Sequence, residues 1–512
     1  MRKWWWAWLG IILVAGPGAR AVHAEYRGGT IRIGVLNDRS GLYADIAGTG
    51  SVWIARKALE DFGAAAKGMK VEILSGDHQN KPDIGLSIAR QWFDVDKVDA
   101  IADVPTSSVA LAVNELIRDK NKVFLAVGPA TSDLTGKACS PNTVHWIYDT
   151  WALANGTGNA IVKRGGDTWF FITADYAFGY ALERDTEAVV LKSGGKVLGK
   201  VRHPFPGTDF SSFLLQAQTS GAKIIGLANA GGDTINSIKQ AAEFGIVQGG
   251  QKLAGLLIFI TDIHALGLKT AQGLIFTDPW YWDQNDANRA FAKEYFAAHG
   301  RMPSYTVVGV YSAVFHYLRA VEALGSHAGG KAVVAKMKEL PTDDKLMGKG
   351  SVRIDGRKIH PMYLFEVKKP EESKGPWDYY KQLATIPAEE AWRPLDQGTA
   401  SDPLDLVMSP TRNGSRCGLA GIWWRAAEFW LVNISAHRRH LSAMRFHVAM
   451  LSGSRVNLAI CSQSAACFRN SSGGFIRRSP TASLIYLRNR LESSIGLMFL
   501  TQAQERSLNP RC

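Results

Sequence analysis

The chain has 512 residues and a formal charge of +13, and its length suits two or three ordinary domains. The charge is uneven: residues 399–512 hold 14 Arg, no Lys and five acidic residues, whereas residues 25–398 hold 42 basic and 41 acidic residues. A basic surface for nucleic acid is therefore excluded for the body of the chain and could apply only to the tail.

The opening MRKWWWAWLGIILVAGPGARAVHA has Arg2 and Lys3, an apolar run from Trp4 to Ala15, and small residues at Val22 and Ala24. This is the pattern of an export leader, residues 1–24, cleaved after Ala24. Gly16-Pro17-Gly18 breaks the run early for a membrane span, an uncleaved anchor being the competing reading, and no later stretch is continuously apolar for the ~18 residues a span needs. The expectation is an exported protein that is not membrane-embedded.

From Thr30 to Phe276 short β-rich runs alternate with amphipathic segments. The runs are TIRIGVL (30–36), VEIL (71–74), DAIAD (99–103), KVFLAV (122–127), WFFIT (169–173), KVLGKV (196–201), KIIGLA (223–228), LLIFI (256–260) and GLIFT (273–277). Their near-continuous apolar character predicts strands covered on both faces, as in a parallel sheet. Between them, Val52, Ala55, Leu59 and Phe62, or Val109, Val113, Leu116 and Ile117, keep helical spacing. The alternation predicts an α/β fold. Four runs precede CSPNTVHWIYDT and five follow it, which implies two sheets and hence two lobes. Helices at about 286–298 and 305–324 come next, followed by the β-like GSVRIDGRKIHPMYLFEV.

In open parallel sheets a ligand sits beyond the carboxyl ends of the strands. Those ends carry Thr106-Ser107-Ser108, Gly128-Pro129-Ala130-Thr131-Ser132, Asp175-Tyr176-Ala177-Phe178, Asn229-Ala230-Gly231-Gly232-Asp233, and Thr261-Asp262. A serine nucleophile needs a base within reach, and no G-x-S-x-G elbow surrounds Ser107. Helix capping accounts for part of the hydroxyl cluster. A cradle of hydroxyls and helix N–H groups for a carboxylate accounts for it together with GPATSD. Tyr43, Tyr148, Tyr176, Phe178 and Trp280-Tyr281-Trp282 offer apolar walls. No H-E-x-x-H, C-x-x-C or P-loop occurs, and GTGSVW lacks the third glycine of a dinucleotide loop, so no metal or cofactor is expected.

IRIGVLNDRSGLYADIAGTG, DHQNKPDIGLSIARQWFD, GPATSDLTGKACSPNTVHWIYDT, ITADYAFGYALE and LANAGGDTINSIKQAAEFG together resemble the periplasmic solute-binding proteins of branched-chain amino-acid type ABC importers. The resemblance covers about residues 28–395. It implies a type I periplasmic binding fold, two Rossmann-like lobes with parallel sheets joined by a three-strand hinge. Lobe 1 would be about 28–145 and 280–352, and lobe 2 about 146–279 and 353–395. It implies a small-molecule ligand, an amino acid or a small carboxylate, aromatic or otherwise, handed to a membrane permease, with no catalysis and no nucleic acid. A ligand-sensing receptor on the same fold is the competing reading, and an α/β enzyme the third.

By position, the resemblance makes Thr106 the pocket hydroxyl, with Ser107, Ala130 and Thr131 beside it. Tyr176 and Phe178 fall in the family's aromatic wall, which Tyr43 and Tyr148 would join as aromatics near predicted loop ends, and Asn229, Asp233 and Asp262 lie in polar loops where an acid could meet an α-ammonium. Arg39 stands where an uncharged residue is expected. Relatives end soon after a motif like AWRPL (391–395) with a cysteine able to pair with the equivalent of Cys139. Here residues 396–512 follow, holding four of the five cysteines. They have no steady helix or strand period, and read as out-of-frame or read-through sequence attached to a finished domain, or alternatively as a basic module.

Overall fold

The computed structural model describes residue 26 and residues 28–397. The expected leader lies outside them, as does the tail except for Asp396 and Gln397 in the short turn Leu395–Gln397.

Two parallel sheets dominate. The first has the order β2-β1-β3-β4-β5, built from β1 (Ile31–Asn37), β2 (Val71–Asp77), β3 (Ala100–Asp103), β4 (Val123–Ala126) and β5 (Thr143–His145). The second has the order β7-β6-β8-β9, from β6 (Thr168–Ala174), β7 (Lys196–His203), β8 (Ile224–Ala228) and β9 (Lys252–Gly255). Within both, every pairing is parallel. Central β3, β4 and β8 are buried throughout, because helices cover both faces. Edge strand β7 instead alternates in exposure.

Two apolar runs behave otherwise than their composition suggests. GLIFT does give a strand, β10 (Ile275–Asp278), but it lies in a separate antiparallel sheet, β10-β14-β15, with β14 (Met362–Val367) and β15 (Tyr380–Ile386). LLIFI is no strand: β9 stops at Gly255, a helix starts at Ile260, and Leu256 to Phe259 form a buried connection. Burial against side chains from several directions makes such a segment apolar without a ladder partner, and composition alone cannot separate the two cases. The tail end of the domain adds a small antiparallel sheet of β11 (Thr342–Asp344), β12 (Gly348–Val352) and β13 (Lys358–Ile359).

The longest helix, Tyr305–Leu324, is long and apolar enough to cross a membrane, yet it is a core helix. It packs on the helix Gly48–Phe62, where Phe62 meets Phe315 edge-on at 5.4 Å and the Tyr311 hydroxyl donates to Asp61 at 3.0 Å. Helix Gly48–Phe62 stops at Gly63, whose φ of 72° is the left-handed cap that only glycine adopts without strain. Beyond β5 the chain crosses toward β6 through Trp146–Asp149, beside a parallel bridge from His145 to Arg357.

Candidate ligand-binding cleft

The carboxyl end of the first sheet is held by its own polar groups. Buried Asp38 accepts from the Gly41 and Tyr43 amides, each at 2.8 Å, and from Asn80 Nδ2 at 2.5 Å. Asp77 accepts from the Ser40 hydroxyl at 2.6 Å and the Gln79 amide at 2.9 Å. Four non-glycine residues at the ends of β2 and β3 have left-handed backbones: Gln79 (φ 51°), Asn80 (φ 58°), Asp103 (φ 81°) and Val104 (φ 61°). For β-branched Val104 this is real strain, sustained by the surrounding network.

Asp103 is fully buried, and burial pushes its carboxyl up to about 6, although Asn37 donates to it. It sits behind Gly128. A Cβ on Gly128 would lie 2.7 Å from Asp103 Oδ1 and 2.6 Å from Pro105 Cα, so no larger residue fits there. The Gly128 carbonyl in turn accepts from the Tyr148 hydroxyl at 2.6 Å.

Across from this edge, the strand ends of the second sheet bring aromatic groups. Tyr176 follows β6 and stacks on Phe205 with ring centroids 4.1 Å apart. Tyr43 reaches over from the first sheet, its ring 5.6 Å from Phe205 and its hydroxyl 2.5 Å from the Tyr176 hydroxyl. Phe259 stacks on Tyr305 at 5.0 Å, and Tyr148 meets Tyr305 edge-on at 5.2 Å.

Between the two edges lies a cleft walled by Tyr43, Pro105, Gly128, Ala130 and Tyr148 on one side and Tyr176, Phe178, Ala230, Leu257 and Phe259 on the other, with Ile46 beside them. Its free volume is about 10 Å³, enough for one water-sized probe. Among the described residues, none that lines it is a carboxylate, histidine, lysine or arginine. Burial holds the phenols of Tyr43, Tyr148 and Tyr176 well above their usual range, so they stay neutral hydrogen-bonding groups.

Of the residues singled out in the sequence, Tyr43, Ala130, Tyr148, Tyr176 and Phe178 meet in this cleft. Trp280, Tyr281 and Trp282 instead line a separate small hollow with Tyr305 and Tyr380, and the others are not among the lining residues. Thr106 donates to Asn80 Oδ1; the Ser107 hydroxyl accepts from the Thr131 amide at 3.3 Å; the Thr131 hydroxyl accepts from the Asp133 amide at 3.3 Å. Thr106 precedes helix Ser107–Asp119, whose first N–H groups have no intrahelical acceptor. Asn229 joins Thr234 at 2.8 Å and Ser237 at 3.1 Å. Asp233 accepts from the Gly207 amide at 2.9 Å, and Asp262 from the Phe259 amide at 2.9 Å. Burial pushes each of these carboxyls up to about 7. Arg39 is exposed and donates to the Ser75 hydroxyl at 3.0 Å, away from the lining.

Six lining residues were not singled out. Gly128 and Ala230 fall in loops whose composition flagged them, while Leu257 and Phe259 were hidden because LLIFI reads as a strand. For Ile46 and Pro105 nothing in the sequence distinguishes a wall from ordinary packing. Cys139, near this edge in sequence, is disulfide-bonded, and the other four cysteines lie outside the described residues.

Two lobes of parallel sheet facing each other across a small, uncharged cleft define a solute-binding protein. Residues 30–375 match the periplasmic binding protein family, and the chain belongs to it. It is similar to a crystal structure of a periplasmic binding protein from Burkholderia mallei, at 52% identity over 72% of this chain and 98% of that one, TM-score 0.70. A branched-chain amino acid ABC transporter periplasmic ligand-binding protein from Burkholderia xenovorans LB400 is 41% identical over 72% of this chain and 99% of its own, TM-score 0.65. Leu/Ile/Val-binding protein homolog 6 of Brucella melitensis is 24% identical, covering 73% of this chain and 95% of its own length. The fold is also that of a Rhodopseudomonas palustris solute-binding protein in complex with 4-hydroxybenzoate, at 22% identity over 71% of this chain and 98% of that one, TM-score 0.64.

Proposed function

We propose that this protein is the extracytoplasmic binding component of an ABC importer, that it takes an aromatic carboxylate lacking an α-amine in the cleft, and that it delivers this ligand to a membrane permease. The observation that carries the choice of ligand is the uncharged lining: an α-ammonium needs a carboxylate beside it, and neither Asp233 nor Asp262 is among the residues that line the cleft. A ligand carboxylate would meet the tyrosine hydroxyls of the lining, with the positive end of helix Ser107–Asp119 behind Pro105 adding a favourable field. An aromatic body would lie against Tyr176, Phe178 and Phe259.

In this reading residues 1–24 are a leader removed on export, and the lobes divide near residues 145, 280 and 352. Thr106, Ser107 and Thr131 shape the cradle from behind rather than touching the ligand. The protein does no chemistry on its cargo: the hydroxyls of Thr106 and Ser107 serve neighbouring groups, and no histidine lines the cleft to act as base. An amino acid is the second reading, favoured by the 41% identity to the branched-chain amino acid relative.

A thermal-shift screen decides between them. Benzoate, 4-hydroxybenzoate and phenylacetate are set against leucine, isoleucine, valine and phenylalanine. A ligand at 100 times its Kd adds about 2.7 kcal/mol, an easily measured shift. Stabilisation by amino acids alone overturns the amine-free assignment.

A further inference from the structure

A larger cavity lies at the opposite end of the second sheet, among the turns that lead into β6, β8, β9 and β10. Its volume is about 490 Å³, within the size range of small-molecule sites and far above the cleft's. The five residues of β8 separate it from the cleft edge by about 16 Å.

The floor is aliphatic, formed by Ile161, Ile224, Ile238, Leu253 and Leu274, with no aromatic ring in the lining. The rim is cationic. Arg164, Lys223 and Lys252 all border the cavity and all are exposed, while no acidic residue lines it. Lys223 pairs with Asp167 at 2.9 Å; among the described residues Arg164 and Lys252 make no ion pair. Backbone pairing gathers these charges: Ile224 stands opposite Lys252 in the β8–β9 ladder, and Lys223 Nζ reaches the Gly165 carbonyl at 3.4 Å, next to Arg164. Three glycine turns also border it, Gly165 (φ 89°), Gly250 (φ 101°) and Gly273 (φ 79°). Nothing lies within 4 Å of where a Cβ would stand at any of them, so the mouth is left open.

We propose that this cavity is a second ligand site, which takes an alkyl carboxylate with its head between Arg164 and Lys252 and its chain on the aliphatic floor. Two unpaired cations beside an apolar hollow match an anion with a hydrocarbon body, and branched aliphatic walls suit a flexible chain where the aromatic cleft suits a ring. The two sites share no lining residue, so a ligand in one does not sterically block the other.

The test is calorimetry on the full chain with sodium decanoate, 1-decanol and 4-hydroxybenzoate as probes. Decanoate binds one site, and the double variant Arg164→Gln, Lys252→Gln weakens it about tenfold while leaving 4-hydroxybenzoate unaffected. Leu253→Trp, which fills the hollow, abolishes decanoate binding; the charge variant changes only exposed groups and guards against misfolding as the cause. No heat up to about 1 mM decanoate overturns the proposal. So does equal affinity in the charge variant, equal binding of 1-decanol, or loss of decanoate binding in Tyr176→Ala, which would place the probe in the cleft.

Discussion

The walls of the cleft carry no formal charge, while just behind them, where His145 bridges to Arg357, two cations and two carboxylates are buried. Arg357 donates to the Tyr148 carbonyl at 2.9 Å, lies 3.4 Å from Asp149, and covers the Trp392 ring at 4.3 Å. Among the described residues Lys358 donates only to the Ser312 hydroxyl, at 3.3 Å, and lies 5.1 Å from the Trp146 ring. Two faces that must part to admit a ligand leave no unpaired charge if they are neutral. A crossing that must hold its geometry can keep buried charge, because its partners never separate. The contrast is the one expected if the cleft faces part while the crossing holds.

Breaking the crossing has the largest expected effect. Arg357→Ala strands Asp149 and is expected to lose about 3–5 kcal/mol in urea unfolding; a loss below about 1 kcal/mol would remove the crossing from this picture. Lys358 comes next. Burial depresses its ammonium from 10.5 to about 8, so between those values the folded state binds fewer protons than the unfolded chain. The penalty is complete below pH 8 and is relieved as pH rises toward 10.5. Wild-type stability measured against Lys358→Met should therefore improve by about 3 kcal/mol from pH 7.5 to 10.5. A flat difference would show Lys358 to be solvated.

On the cleft side the effects appear in affinity. Tyr176→Ala and Phe205→Ala each remove one member of the stacked pair and should weaken an aromatic ligand about tenfold in calorimetry, with little loss of stability. Asp233→Asn should leave the affinity for 4-hydroxybenzoate unchanged; a clear fall would bring that carboxyl to the ligand. Smallest is Thr106→Ala, expected to change affinity less than about threefold because its hydroxyl serves Asn80. A tenfold loss there would restore Thr106 as a direct ligand contact.

The parallel strands were legible because burial on both faces leaves a continuous apolar run, and seven of the nine runs read from the sequence became strands of the two parallel sheets. LLIFI failed because a connection buried on all sides has the same composition as a strand. GLIFT was recognised as a strand, but its antiparallel partner, β14, lies almost ninety residues on, beyond any local signal. β5 was missed since three residues give no period. In the site, aromatic residues at strand ends were informative because a large ring near a loop has few places to go. The hydroxyls were less so, since Thr106, Ser107 and Thr131 can serve either a ligand or their own loops, and here they bond to the loops.

The left-handed backbone at Gln79, Asn80, Asp103 and Val104 divides the molecule into fixed and interchangeable parts. Each of these turns is tied into Asp38, Asp77 or Gly128, so a substitution on that edge disturbs a frame rather than a surface. Tyr176 and Phe205 stand on the second sheet's loops and Phe178 in the first turn of helix Ala177–Lys192, all outside that frame. Changing what the protein carries, by natural drift or by engineering a sensor for another ring, is therefore a matter of redecorating one jaw while the other stays as it is.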